Sequence, residues 1–201
     1  MTGLEIVSLD SLLTNLEENT VNNILAGFSC PVNADVEEFL HVKAIQFNKQ
    51  GISKTFLVVT SFKGKAVIAG YFTISTKVIT VQKNRLSKNF IKRINKFAKY
   101  DTESKSYIMP CPLLGQFALN FAYGKRLISG SDLMKIALGK VKELHQIGGG
   151  KTLYLECEDK IKLVKFYEQF NFREFDRRKL DEDELNQFKG TELIQMIAYI
   201  S

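Results

Sequence analysis

The stretch Phe166-Tyr167-Glu168-Gln169-Phe170-Asn171-Phe172 constrains the fold more than any other, because the apolar period changes inside it. Upstream, Leu163, Val164 and Tyr167 stand at helical spacing; downstream, Phe172-Arg173-Glu174-Phe175 reads as a short strand. Asn171 sits at the junction, and asparagine tolerates the left-handed conformation that a helix end needs. The chain therefore passes from helix to strand with almost no linker.

The same alternation runs through the rest of the sequence. Val21 to Leu25 and Asp35 to Phe47 show helical periodicity, the second with Val36, Phe39, Leu40, Ala44 and Phe47 on one side. Thr55 to Thr60 and Ala66 to Thr76 are β-branched and aromatic runs separated by Ser61-Phe62-Lys63-Gly64-Lys65, which predicts a hairpin. Leu86, Phe90, Ile94 and Phe97 then recur among lysines and arginines, predicting a basic amphipathic helix inserted at about 83–107, docked by its apolar stripe. Pro110-Cys111-Pro112 is read as the break after that helix, and Leu113 to Phe121 as a largely buried strand. Ser129-Gly130-Ser131-Asp132 starts a helix with Leu133, Ala137, Val141 and Leu144 on one face, ended by Gly148-Gly149-Gly150. A strand carrying Leu153, Leu155 and Cys157 follows, then the helix of Tyr167, then strands at Phe172–Phe175 and Leu193–Tyr199. The order β-β-β-α-β-α-β-β implies an α/β (α+β) architecture, a mixed sheet with helices on its faces.

At 201 residues and 45% hydrophobic content, the chain is long enough for one domain with a full core. Its odd number of cysteines (Cys30, Cys111, Cys157) and the lack of a basic-then-apolar N-terminus point to a reducing cytoplasm. No apolar run approaches a membrane span, so no membrane partner is expected. The net charge of +6 has one source. Between Lys83 and Lys105 lie eight basic residues against Asp101 and Glu103, and the remainder of the chain is neutral. Such a segment is either a solvated face or a contact for a polyanion such as RNA. Asp181-Glu182-Asp183-Glu184 forms an acidic block expected in a loop before the last strand.

A strand that leads through a loop into a helix N-terminus can bind phosphate, because first-turn amides lack intrahelical partners and the helix dipole adds positive potential. Lys125-Arg126-Leu127-Ile128-Ser129-Gly130-Ser131 occupies that place. With Ser129 as N-cap, the amides of Gly130, Ser131 and Asp132 would face a pyrophosphate, with Lys125 and Arg126 adding charge. The alternative is an ordinary capped helix, Ser129 and Asp132 being spaced like a capping box.

The Phe166–Phe172 junction resembles that of the GNAT superfamily of acetyl-CoA-dependent N-acetyltransferases, where a Phe-Tyr pair precedes a Gly-Phe and the tyrosine faces the sulfur of coenzyme A. Asn171 stands where that family has glycine. The family's Gln/Arg-x-x-Gly-x-Gly/Ala pyrophosphate motif maps onto Lys125 through Gly130, with Ile128 in place of the first glycine. Phe28 to Leu40 is similar to the Phe-x-Cys-Gly-Asn-x-x-Leu-x-x-Phe-Leu opening of the branch that includes acetyltransferase toxins of toxin–antitoxin pairs, with Pro31 for glycine. Pro110-Cys111-Pro112-Leu113-Leu114-Gly115 resembles the Pro-x-Pro lead into that branch's central strand, so the likeness spans roughly residues 24–175. The resemblance implies a mostly antiparallel sheet splayed at its central strand, with acetyl-CoA as cofactor. It further implies Phe117, Ala118 and Leu119 against the pantetheine arm, and Lys125, Arg126, Ser129, Gly130 and Ser131 at the pyrophosphate. It carries expectations of an aminoacyl-tRNA acceptor, a ribbon-helix-helix antitoxin and a homodimer.

N-acetylation needs a neutral amine, donors for the developing oxyanion and an acid for the departing thiolate. Tyr167 is the candidate acid, and a backbone amide near Phe117 to Leu119 the oxyanion donor. Glu156 and Asn120 are the candidate water-holders, and no general base stands out. An α-amine with a pKa of about 7.7–8.0 needs little help, whereas a lysine at about 10.4 does, which favours α-amine acceptors. Lys88, Lys92, Arg93 and Lys96 are the residues expected to meet tRNA. Acetylation of a protein or small-molecule amine, or a silent module that binds acyl-CoA, remain open readings. His41 and His145 have no ligand-type neighbours at metal spacing, and Cys157 alternates into the core without a histidine partner, so neither a metal site nor cysteine catalysis is expected.

Overall fold

The computed structural model describes residues 3–180 and 191–200. They divide into two compact units: one comprises the chain up to Ser75 with Gly115–Lys140, the other Thr76–Leu114 with the chain from Val141 onward. The acidic block Asp181–Glu184 lies outside the described residues.

The first unit opens with β1 (Glu5–Ser8), antiparallel to β2 (Lys54–Phe62) with Ile6 opposite Val58. Ser8 ends the strand and caps α1 (Leu9–Asn15), its hydroxyl accepting from the Ser11 amide at 3.1 Å. Neither element is expected from the sequence, since one strand of four residues leaves no readable period. α2 (Glu18–Leu25) follows. Then α3 (Ala34–Glu38) runs through a π turn at Phe39–Lys43 into α4 (Ala44–Lys49), covering the predicted Asp35–Phe47 helix. β2 and β3 (Lys65–Gln82) form the predicted hairpin; Lys63 and Gly64, with φ of 51° and 75°, make the turn that matches the strands' twist. The order here is β1-β2-β3-β5, β5 being Ser106–Leu119. The core holds Leu9, Leu25, Phe28, Leu40, Leu57 and Tyr71. Tyr71 meets Phe28 edge-on at 5.1 Å, and its buried hydroxyl donates to the Val36 carbonyl.

In the second unit, β6 (Thr152–Glu158) pairs in parallel with β5 at Leu113 opposite Tyr154. β8 (Glu192–Tyr199) runs antiparallel to β6, and β7 (Arg173–Lys179) antiparallel to β8. α7 (Ile161–Glu168) enters β7 through Asn171, whose φ of 65° is the left-handed conformation expected of it. α6 (Gly130–Gly148), whose first residues up to Lys140 belong to the first unit, starts after Ser129 as predicted, with Leu133, Ala137 and Val141 fully buried.

The basic segment departs from expectation. It is a 3₁₀ turn at Lys83–Arg85, α5 (Lys88–Ile94) and β4 (Lys99–Asp101), which pairs with β5. Ser87 stops any longer helix by capping α5 from the Phe90 amide at 3.2 Å, and the chain closes where Phe97 and Ala98 both donate to the Ile94 carbonyl. The apolar stripe is nevertheless docked: Ile94 is buried, and Leu86, Phe90 and Phe97 pack on Tyr107, Met109 and Phe175 of the same core. Pro110 and Pro112, expected to lie between elements, sit inside β5. They fall between Ser106–Ile108, which pair with β4, and Leu113, which pairs with β6, so those two pairings do not call on their missing N–H. Among the described residues no helix is long and apolar enough to cross a membrane.

Candidate active site

In the first unit, the loop before α6 carries a reciprocal cap. Ser129 Oγ accepts from the Asp132 amide at 3.0 Å and donates to Asp132 Oδ2 at 2.6 Å, while the Ser129 carbonyl accepts from Leu133 at 3.1 Å. The amide of Asp132, expected to face a pyrophosphate, is thus taken by the cap. Those of Gly130 and Ser131 remain as first-turn donors without intrahelical partners. The hydrogen bond from Ser129 holds the Asp132 carboxyl below its ordinary value, so the turn carries a negative charge of its own. Lys125 and Arg126 are exposed before it. Ile128 is buried, 9% exposed, with no positive φ, so this loop places the side chain inside and needs no glycine there. Two amides at the start of a 19-residue helix, beside Lys125 and Arg126, fit the phosphates of a coenzyme; Asp132 weakens the fit but does not occupy those donors.

The end of β5 lies in the same unit. The Gln116 amide donates to Thr73 Oγ1 at 2.8 Å and the Asn120 amide to the Ala69 carbonyl at 2.9 Å, both toward β3. Strand alternation then turns the amides of Phe117 and Leu119 to the opposite edge, with Ala118 buried between them. Gly70 permits this approach: a Cβ there would stand 2.8 Å from the Ala118 carbonyl oxygen and 3.2 Å from Leu133 Cδ2. Asn120, a candidate water-holder, is fully buried and spent on the backbone. It accepts from the amides of Ser29 (3.0 Å) and Ala122 (2.9 Å) and donates to the carbonyls of Gly27 (3.0 Å) and Ile68 (2.8 Å).

Tyr167 lies in the second unit, one residue before the end of α7, 7% exposed and edge-on to Phe166 (5.3 Å) and Phe172 (5.9 Å). Its hydroxyl makes no hydrogen bond to any described residue. Burial pushes the phenol well above its ordinary value, and the neighbouring Cys157 adds to the shift. Cys157 is itself buried and pushed up to about 12, so it is a core thiol. Glu156, the other candidate water-holder, is bound instead in a half-buried network. Its Oε2 accepts from Arg178 Nη2 at 2.8 Å, Gln195 donates to its Oε1 at 3.0 Å, and Tyr154 donates to the same oxygen. Burial alone would raise this carboxyl, but hydrogen bonds led by Arg178 outweigh it and hold it low. Nothing in the sequence flagged Arg178, because strand register alone brings it opposite β6's neighbour.

Lys88, Lys92, Arg93 and Lys96 are all exposed in the second unit, the first three on α5 and Lys96 just past its end. None forms an ion pair with a described residue. Arg93 is partly committed to Tyr199, lying over its ring. His41 and His145 bond to the carbonyls of Phe28 (3.1 Å) and Thr152 (3.0 Å), and no group of metal-ligating side chains occurs among the described residues.

These elements make a GNAT-like fold. Among solved structures, AtaT complexed with acetyl-methionyl-tRNAfMet is similar at a TM-score of 0.63 and 16% identity, over 95% of this chain and 93% of that one. A Tyr-to-Phe mutant of KacT gives 0.62 and 18%, over 96% and 94%. AtaTR bound with AcCoA gives 0.56 and 16%, over 96% and 93%. No protein-family model matches the sequence, and no curated protein matches it.

Proposed function

We propose that this protein is an acetyl-CoA-dependent N-acetyltransferase of the toxin type, acting on the α-amine of an aminoacyl-tRNA. The observation that carries the reading is Tyr167: a tyrosine at the helix-to-strand junction of a GNAT fold, buried so that it stays protonated. Support for the cofactor comes from the AcCoA-bound neighbour, and for the acceptor from the neighbour complexed with an acetylated methionyl-tRNA.

In this reading Gly130 and Ser131 offer their amides, with Lys125 and Arg126, to the pyrophosphate. The β5 edge holding Leu119 would hold the pantetheine arm and offer an amide to the thioester carbonyl. Tyr167 would supply the proton that a departing thiolate needs, and the amine would lose its own to solvent. Since Glu156 and Asn120 are both engaged, no base is assigned, which suits an amine already largely neutral near pH 8. Lys88, Lys92, Arg93 and Lys96 hold the phosphate backbone. A ribbon-helix-helix antitoxin is the proposed protein partner, in line with the neighbouring toxin structures bound to AtaR.

The test is calorimetric titration with acetyl-CoA, then transfer of labelled acetyl to charged tRNA. Micromolar binding, with transfer lost in Tyr167→Phe, supports the reading. Binding with transfer only to peptides or small amines moves the acceptor to those classes. No binding at millimolar acetyl-CoA leaves a silent GNAT-shaped module.

A further inference from the structure

The second unit contains a cleft of about 550 Å³, within the range of small-molecule sites, roughly 300–1,000 Å³. Lys83, Asn84, Leu86, Lys88, Tyr100 and Lys105 line it, so its walls come from the 3₁₀ turn, α5 and the β4–β5 hairpin. Among the described residues no carboxylate lines it. Asp101, adjacent to Tyr100, is held by the amide and hydroxyl of Ser104. Three ammonium groups share one concavity, and none forms an ion pair with a described residue, an arrangement that favours an anionic occupant.

The cleft is not merely basic. Tyr100 is 38% exposed, and its ring is steadied by the buried Tyr107 at 5.0 Å. Lys83 Nζ lies 5.3 Å from the Tyr100 ring centre, while Leu86 and Ile91 add an apolar wall. The side-chain amides of Gln82 and Asn84, also in the lining, make no hydrogen bond to a described residue. An aromatic face, a flanking apolar wall, side-chain amides and cations together are what a base and its phosphate require.

We propose that this cleft is a nucleotide subsite in which an unpaired base stacks on Tyr100 while Lys83, Lys88 and Lys105 hold its phosphates. The nucleotide belongs to an RNA strand or comes as a free mononucleotide. The inference deepens the acceptor reading above, and rests on it only for the identity of the RNA.

Binding of a short fluorescein-labelled single-stranded oligoribonucleotide to the full chain, read by anisotropy, tests it. Tyr100→Ala should weaken binding about tenfold, and Tyr100→Phe should not. An abasic strand should bind wild-type protein as weakly as the intact strand binds Tyr100→Ala. Lys83→Gln with Lys105→Gln, which leaves the ring in place, should flatten the salt dependence. Displacement by millimolar AMP assigns the site to a free nucleotide; base-dependent binding that AMP does not displace assigns it to a strand. Equal binding of intact and abasic strands, or no effect of either variant, overturns the proposal. The assay uses no acetyl group, so RNA binding lost while acetyl-CoA still binds overturns the subsite alone. The converse overturns the acetyltransferase alone.

Discussion

The guanidinium carbon of Arg93 lies 5.0 Å from the centre of the Tyr199 ring, so one of the four cations proposed to meet tRNA also fastens α5 to the end of β8. Arg93→Ala should therefore cost about 0.5–1 kcal/mol of stability in urea denaturation, while Lys92→Ala, one residue away, should leave the midpoint within error. Both should weaken tRNA binding.

Asn120→Ala removes four hydrogen bonds at a fully buried position and strands two amides and two carbonyls. A loss of roughly 3 kcal/mol or more is expected by chemical denaturation. Asn120→Asp should fare no better, since a carboxylate cannot donate to Gly27 and Ile68.

Gly70→Ala places a methyl group 2.8 Å from the Ala118 carbonyl oxygen, which is backbone and cannot swing away. Overpacking of this kind costs about 1–3 kcal/mol. Because β5 must shift to relieve it, acetyl-CoA titration should show weaker binding even where thermal melts show the variant folded.

The pH dependence follows from the burial of Tyr167. Its folded-state pKa is raised, so the acid form is fully present below the ordinary phenol value of about 10 and is lost only as pH rises beyond it. Transfer to an α-amine should climb through about pH 7.7–8.0 as the amine deprotonates and then stay level to about pH 10. A descending limb near pH 9 in the rate profile would assign the acid to another group.

Burial also pushes Cys111 and Cys157 up to about 12 and raises Cys30. At pH 8 the folded protein should resist iodoacetamide, and all three cysteines should react once it is unfolded, as counted by mass spectrometry.

The elements with a clear period were legible: α6 from Ser129 and its buried Leu133, Ala137 and Val141, the β2–β3 hairpin, and α7 turning into β7 at Asn171. In the basic segment Leu86 belongs to the apolar stripe yet precedes the Ser87 cap; periodicity records which face is buried, not where hydrogen bonding stops. Pro110 and Pro112 looked like breakers because sequence does not reveal which positions of a strand go unpaired. At the candidate site, residue types were visible but commitments were not. Asn120, Glu156 and the Asp132 amide each turned out to be bonded to groups brought close by the local fold.

The π turn at Phe39–Lys43 is an α turn with one residue added, so a single codon separates the two forms. Deleting Val42, which is 67% exposed and buries little, would restore an unbroken helix and leave the residues after it in their present rotation, because the wider π turn absorbs its extra residue. Ala44 and Asn48, now buried, would then keep the face they share with Leu40. The helix thus tolerates both substitution and removal at Val42, and related sequences should vary there in length as well as in identity.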